Sequence, residues 1–508
     1  MAMFVLVVDT SLMNVSISAV VEDLDTTVSG VQAAIALEAL VSAAFILISS
    51  KIGDLFGRKR AYILGLCAYA LGAAAMTLAT NLSTIIVCWA IIGGLGASLL
   101  LPAMQSLIHG NFEGPAQRQA YALVGASAAI AAAVGPLLGG FVTTYLSWRV
   151  GFALEVVVIG VVLAGMGGIR EVPYTGDRHV DIVGALLSVL GMGGVVLSIL
   201  AWQEGAESVV AIFTVGAVAL GSFIWWLVRR RREGRPTLLD PDLFRLPHFR
   251  LGVSQQMMQQ IVLGGLMIAL PVFLQITLGY DAMGAGLSLA PLSLTMFGVA
   301  LITGKKAGDR RPSVIIRAGF VLSSVGTLAL LPLVPRAESG WYLTIPLVVV
   351  GAGLGLLVSQ LNNFTLAPIE EERVSEAAGV NSAGGSFGLS FGLAMAGGVM
   401  LATLAYSFTN LTEASDVIPA DQQQLIADVM ETDAEVVSDA QLSEIVAAEP
   451  PAIQDEILSI NRTARDHALQ FALAIPLLAA LFGLFTGFRM VRLPDLEPPS
   501  NIDGAGWA

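Results

Sequence analysis

Charge is scarce in this sequence. Only 13% of its 508 residues are Asp, Glu, Lys or Arg, where soluble domains carry about 25%. With 55% hydrophobic residues, a water-soluble fold would have too little polar surface to cover it. Cysteine is scarcer still. Cys67 and Cys88 both lie inside apolar blocks, and two thiols are too few for a disulfide framework or a thiolate metal site. The four histidines, at 109, 179, 248 and 467, all avoid the middles of the apolar blocks, and no Lys or Arg lies well inside one. An ATP-binding loop is missing: Gly298–Lys305 has the wrong glycine spacing, and Lys306 stands where Ser or Thr is needed. There is no credible catalytic triad or metal cluster, so neither an enzymatic reaction nor a cofactor is expected.

What is present is apolar sequence in long blocks. The stretch 61–80, AYILGLCAYALGAAAMTLAT, is typical. About 20 uncharged residues cross the hydrocarbon core as a helix, whereas barrel strands would be about ten residues long and alternate in polarity. The expected class is an all-α membrane protein with fourteen transmembrane helices, over 1–21, 30–50, 61–80, 83–108, 121–145, 149–169, 181–202, 207–228, 251–276, 285–304, 313–334, 341–365, 378–406 and 467–489. Placing both termini in the cytoplasm puts 22 of the 26 basic residues on the inner side, leaving Arg149, Arg336, Arg462 and Arg465 outside. That asymmetry sets the orientation and the even count, and the expected location is the cell membrane. Met1 runs straight into the first span, which suggests a start further upstream.

The net charge of −13 is local. Residues 407–466 hold 13 acidic residues and 2 arginines, a net of −11. The balance therefore describes one extracytoplasmic loop and implies no nucleic-acid partner. Its pattern reads as short amphipathic helices broken at Pro450–Pro451, forming a solvated cap or, alternatively, a partner-binding or gating element. Arg229–Arg232 is a stop-transfer flank that meets anionic inner-leaflet lipid.

Four signals carry chemistry. The stretch 51–60, KIGDLFGRKR, lies between the second and third spans. Gly53 and Gly57 permit a tight turn, Asp54 is placed to cap the third helix or pair with a cation, and Arg58, Lys59 and Arg60 follow. A weaker echo at 304–311 contains Asp309 and Arg310, which suggests repeated halves around a central cavity. In the fifth span, Pro136 removes a helix donor, and Gly135, Gly139 and Gly140 leave a smooth face for another helix. Asp9, Glu38 and Glu155 are acids within spans that lack a basic partner. Such carboxyls hold a proton or a cation and mark function by default. Finally, Asn14, Gln255, Gln256, Gln259, Gln260, Gln275, Gln360 and Asn362 are amides that need hydrogen bonds within the bilayer, from a wet cavity or a neighbouring helix.

KIGDLFGRKR resembles the cytoplasmic signature of the major facilitator superfamily. DTSLMNVSIS in the first span and AVGPLLGG in the fifth resemble patterns of its fourteen-helix drug/proton antiporter branch, and LQITLGYDAMGAGLSLAP resembles the stretch joining helices 9 and 10. The resemblance implies two six-helix bundles (1–170 and 251–492), an inserted helix pair (181–228), a basic linker (229–250) and alternating access about a shared cavity. It also implies Asp9 as a proton or cation site, and Asp54 and Arg58 as parts of an inner gate. The implied activity is export of hydrophobic or cationic small molecules in exchange for protons. Export of a lipid or natural product using the acidic loop is the alternative, followed by a transport-dead sensor or scaffold. One departure stands out: the Arg and Gln of the family's fourth-helix pattern are Ala90 and Gly93 here.

Overall fold

The computed structural model describes residues 1–112, 114–171, 181–203, 208–306, 311–369, 373–419, 423, 439, 442–443, 446–447 and 450–493. The described elements are helical throughout. In chain order the long ones are α1 (Ala2–Val15), α2 (Ile17–Leu24), α3 (Val28–Phe56), α4 (Arg58–Thr77), α5 (Gly94–Asn111), α6 (Gly114–Tyr145), α7 (Trp148–Gly165), α8 (Ile182–Gln203), α9 (Val209–Arg232), α10 (Pro247–Val272), α11 (Ala282–Lys306), α12 (Pro312–Leu333), α13 (Thr344–Leu366), α14 (Val374–Glu413) and α15 (Pro451–Val491). Two π-helical segments, Ile85–Gly93 before α5 and Phe273–Thr277 after α10, continue their helices. Among the described residues, thirteen helices are long and apolar enough to cross a membrane, and α1 with α2, taken as one span bent by 66°, makes a fourteenth.

The bend falls at Ser16, whose hydroxyl donates back to the Leu12 carbonyl at 2.7 Å and pairs with Thr143 at 2.6 Å. Such back-bonding competes with the helix ladder and bends it. Thr27 then starts α3 by accepting from Gly30 N–H, and Ser147 starts α7 by accepting from Arg149 N–H.

The α3–α4 junction is tighter than the sequence suggests. The second span stays helical through Phe56, and the whole reversal is made at Gly57, where φ is +105°. The backbone of Asp54 lies within α3. Glu171, beyond the end of α7, caps the start of α4: its Oε1 accepts from Lys59 N–H at 2.9 Å. Lys59 Nζ in turn donates to the Ile169 carbonyl at 2.7 Å.

The last span also departs from expectation. It begins at Pro451 rather than 467, and α14 continues to Glu413. At 1.5 Å per residue these helices of 40 and 41 residues are about 60 Å long, roughly twice the hydrocarbon thickness. They overshoot together at the end where the acidic loop leaves. A helix starts at Pro451 after non-helical Pro450, where the break is expected, and proline is tolerated in its first turn. Asp439 pairs there with Arg462 and Arg465, each at 2.5 Å, and Ser415 donates to Glu456 at 2.7 Å.

Glycines set the closest approaches. A methyl group at Gly135 would lie 2.6 Å from Ser11 Cβ, one at Gly139 2.9 Å from Leu12 Cα, and one at Gly140 2.6 Å from the Ala282 carbonyl oxygen. Helix α6 is thus pressed between α1 and α11. At the opposite, basic end, Leu238, Leu239 and Leu243 of the linker are buried among Ile46 and Leu47 of α3 and Ala377 and Val380 of α14. Arg373 and Arg231 hold that linker through Asp240 and Asp242, each at 2.8 Å. Large apolar side chains such as Val210, Phe213, Val218 and Ile224 are exposed along α9, as suits helices that face lipid.

Candidate functional site: a buried carboxyl cluster

The three acids of the first six spans come together. Asp9 on α1 is 1% exposed. Its Oδ2 accepts a short hydrogen bond from the Tyr69 hydroxyl of α4. Trp89 Nε1, on the π-helical segment, reaches Oδ2 at 3.1 Å and Oδ1 at 3.2 Å. Both donors are buried, Tyr69 at 3% and Trp89 at 2% exposure. Glu155 on α7 is 5% exposed, and neither of its oxygens has a hydrogen-bond partner. Glu38 on α3 is half-buried. The charges of Glu38 and Glu155 each interact with Asp9, so ionised together they would repel in a poorly screened interior.

Tyr69 and Trp89 are absent from the set expected from sequence. A signal existed: a phenol and an indole inside apolar spans each need an acceptor when buried. The π turn helps to present Trp89, since such segments reorient side chains and recur at functional sites. Phe152 of α7 braces the Trp89 ring edge-on, with centroids 6.3 Å apart. Ala90 is fully buried beside it and offers no cation.

The amides divide. Asn14 donates to the Thr10 carbonyl at 2.7 Å and its Oδ1 has no partner. Gln255 donates through its nitrogen to α15, at 3.0 Å to the Gly483 carbonyl and 2.6 Å to Thr486 Oγ1, and its Oε1 has no partner. Gln259 and Gln360 are buried, Gln256 and Gln260 lie beside Gly385 of α14, and exposed Asn362 accepts from Asn381 at 2.8 Å. Gln275 accepts from Ser18 N–H at 3.2 Å. Among the gating residues, Gly53 packs on Ala61 and Arg60 is exposed. The side chain of Asp54, and Asp309 and Arg310 entirely, lie outside the described residues.

Residues before 170 are hydrogen-bonded to residues after 250 toward the acidic end. Ser18 meets Gln275, Met283 N–H donates to Thr144 Oγ1 at 3.0 Å, and Ser390 donates to the Ala36 carbonyl at 2.6 Å. Gln203, at the end of α8, adds a bond to the Ala394 carbonyl at 2.5 Å. A separate apolar groove of about 470 Å³ opens between α3, α8 and α9, over Leu37, Val41, Leu190, Gly193 and Ile212. It includes none of the three acids.

The sequence profile of the Major Facilitator Superfamily matches residues 1–393. The chain belongs to the major facilitator superfamily. Its relatives include the "Probable actinorhodin transporter" of Streptomyces coelicolor, 26% identical over 79% of this chain and 71% of the relative. "Puromycin resistance protein pur8" of Streptomyces alboniger is 30% identical over 80% and 82%. "Multidrug resistance protein Stp" of Mycobacterium tuberculosis is 26% identical over 85% and 80%. Among solved structures, an "auto inhibited POT family peptide transporter" shares the fold, with a TM-score of 0.60, 14% identity and 98% of both chains covered. The superfamily member described here is therefore a multi-pass membrane protein and a secondary transporter, built on fourteen spans.

Proposed function

We propose that this transporter exports hydrophobic or cationic small molecules, drugs among them, in exchange for protons, by alternating access between two six-helix bundles, 1–170 and 251–492. The observation that carries this reading is Asp9, a carboxyl buried mid-span with neutral donors and, among the described residues, no basic partner. A group so placed gains or loses a proton at a large change in local energy, which is what coupling to a gradient requires. Several relatives are described by antibiotics or drugs, puromycin and actinorhodin included, which supports export of such compounds. In this reading both termini are cytoplasmic, the basic flank at Arg229–Arg232 meets anionic lipid, and the conformation described is closed on the outer side. Glu38 and Glu155 assist Asp9, and Gly135, Pro136, Gly139 and Gly140 carry movement of α1 to the second bundle.

The test is transport in inverted vesicles under an imposed pH gradient. Substrate-induced proton release from the lumen should vanish in Asp9→Asn. If the variant moves protons with substrate as the wild type does, Asp9 is not the coupling site. A natural-product exporter that engages an extracytoplasmic partner through 407–466 is the second reading, favoured by the actinorhodin relative and the overshooting helices. Deleting 416–448 would impair export in that case and leave the first reading untouched.

A further inference from the structure

A carboxylate buried in a membrane protein needs something to stabilise its charge. The family's fourth-helix pattern has an arginine, yet Ala90 occupies that position here and is buried. Two neutral donors converge on Asp9 instead, the Tyr69 hydroxyl from α4 and the Trp89 indole from the π-helical segment. They approach from different elements, so together they tie α1 to two others. The other titratable groups whose charges reach this point are Glu38 of α3 and Glu155 of α7. Where α6 presses on α1 it presents Gly135 and Gly139 and brings no charge.

Neutral donors differ from arginine in one decisive respect. Hydrogen bonds to an ionised acceptor are roughly twice as strong as those between neutral groups. A proton arriving on Asp9 therefore weakens both bonds at once and leaves no unpaired cation behind. An arginine would be stranded as a buried charge. We propose that Tyr69 and Trp89 are positioning residues forming a proton-released clamp: they hold α1 to α4 and the π segment while Asp9 is ionised, and let it go when Asp9 is protonated. Glu155, with no donor to either oxygen, is the neighbouring carboxyl that keeps its proton in the clamped state. The proton that releases the clamp comes from the gradient: it leaves hydronium as water in the outer solution and forms the O–H bond on Asp9, so one positive charge enters the site. The clamp rests on the reading of Asp9 as the coupling site.

The experiment uses the full-length protein in proteoliposomes with three variants, Tyr69→Phe, Trp89→Phe and Asp9→Asn. Removing one donor from the ionised state lets Asp9 hold its proton to higher pH. The pH profile of substrate-driven proton flux should move upward by about one unit in Tyr69→Phe, the size of one lost charge-assisted bond. Intrinsic fluorescence supplies a readout that simple packing would not move. The wild type should show a pH-dependent emission change that is absent in both Trp89→Phe and Asp9→Asn. An unshifted profile in Tyr69→Phe, with coupling lost in Asp9→Asn, overturns the clamp and leaves the coupling assignment standing. Persistent coupling in Asp9→Asn overturns both. If Tyr69→Phe does not fold, the fluorescence comparison decides alone, and a pH-dependent change that survives Asp9→Asn overturns the clamp.

Discussion

Ser390 of α14 donates its hydroxyl to the carbonyl oxygen of Ala36 in α3, at 2.6 Å and out of contact with solvent. The carbonyl belongs to an intact helix, so this is an added bond between halves rather than a replacement for a helical one. It is broken if α3 and α14 part.

Ser390→Ala should therefore leave the fold intact and shift the conformational balance toward opening at the acidic end. One net hydrogen bond is worth about 1 kcal/mol, close to a fivefold change in the ratio of states. The rate at which a membrane-impermeant maleimide labels a cysteine placed at Thr144 should rise by about that factor. An unchanged rate would show that the bond does not bias the equilibrium.

Gly140→Val puts a branched side chain where even a methyl would lie 2.6 Å from the Ala282 carbonyl oxygen. Overpacking of this kind costs about 1–3 kcal/mol. Because the strain falls on the α6–α11 contact, transport should drop steeply while membrane insertion continues. Gly125→Val on the same helix meets nothing within 4 Å and serves as the control. Equal loss in both variants would point to a general effect on α6.

The α3–α4 turn should fail in two distinguishable ways. Glu171→Ala removes the acceptor for Lys59 N–H and should lower stability by about 1 kcal/mol, as for a lost cap. Gly57→Ala adds backbone strain at φ +105° and a clash 2.8 Å from Glu171 Oε2. It should cost more, about 1–2 kcal/mol in backbone strain alone. Melting temperatures in detergent would rank the two; the reverse order would mean that the glycine is not needed.

The linker predicts a pH dependence. The hydrogen bond from Arg231 holds the Asp242 carboxyl below the usual carboxylate range, with Arg245 and Arg373 adding to it. A carboxyl lowered in the folded state stabilises above its unfolded pKa, and that gain disappears as pH falls through the lower folded value. The melting-temperature gap between wild type and Arg231→Ala should thus be present at pH 7 and begin to shrink near about pH 4, the unfolded carboxylate value. A gap that does not shrink between pH 5 and pH 3 would assign the role of Arg231 to packing.

Much of this was legible in the residues. Long uncharged blocks and the one-sided placement of Lys and Arg are local properties, and the span count followed from them. Asp9, Glu38 and Glu155 stood out because an ionisable group in hydrocarbon is costly wherever it sits. The glycines of α6 were readable as a packing face, though their partners were not. The α3–α4 turn misled because Asp54, Gly53 and Gly57 suit a loop equally well. Only the register of α3, helical through Phe56, places Asp54 inside it. The amides left both kinds of partner open. Gln255 and Gln259 share a helix face by spacing, but whether that face meets water or α15 depends on the neighbouring helix.

What the sequence alone determined is the solvent of this protein, its helices and the residues least suited to that solvent. Those follow from transfer free energies that act residue by residue. The tertiary structure decided which side chains answer Asp9. Tyr69 and Trp89 are 60 and 80 residues away, and nothing local distinguishes them from other aromatics in apolar spans. Apolar helix faces are nearly interchangeable, so shape and small-residue contacts choose the neighbours, and those neighbours bring the donors to the carboxyl.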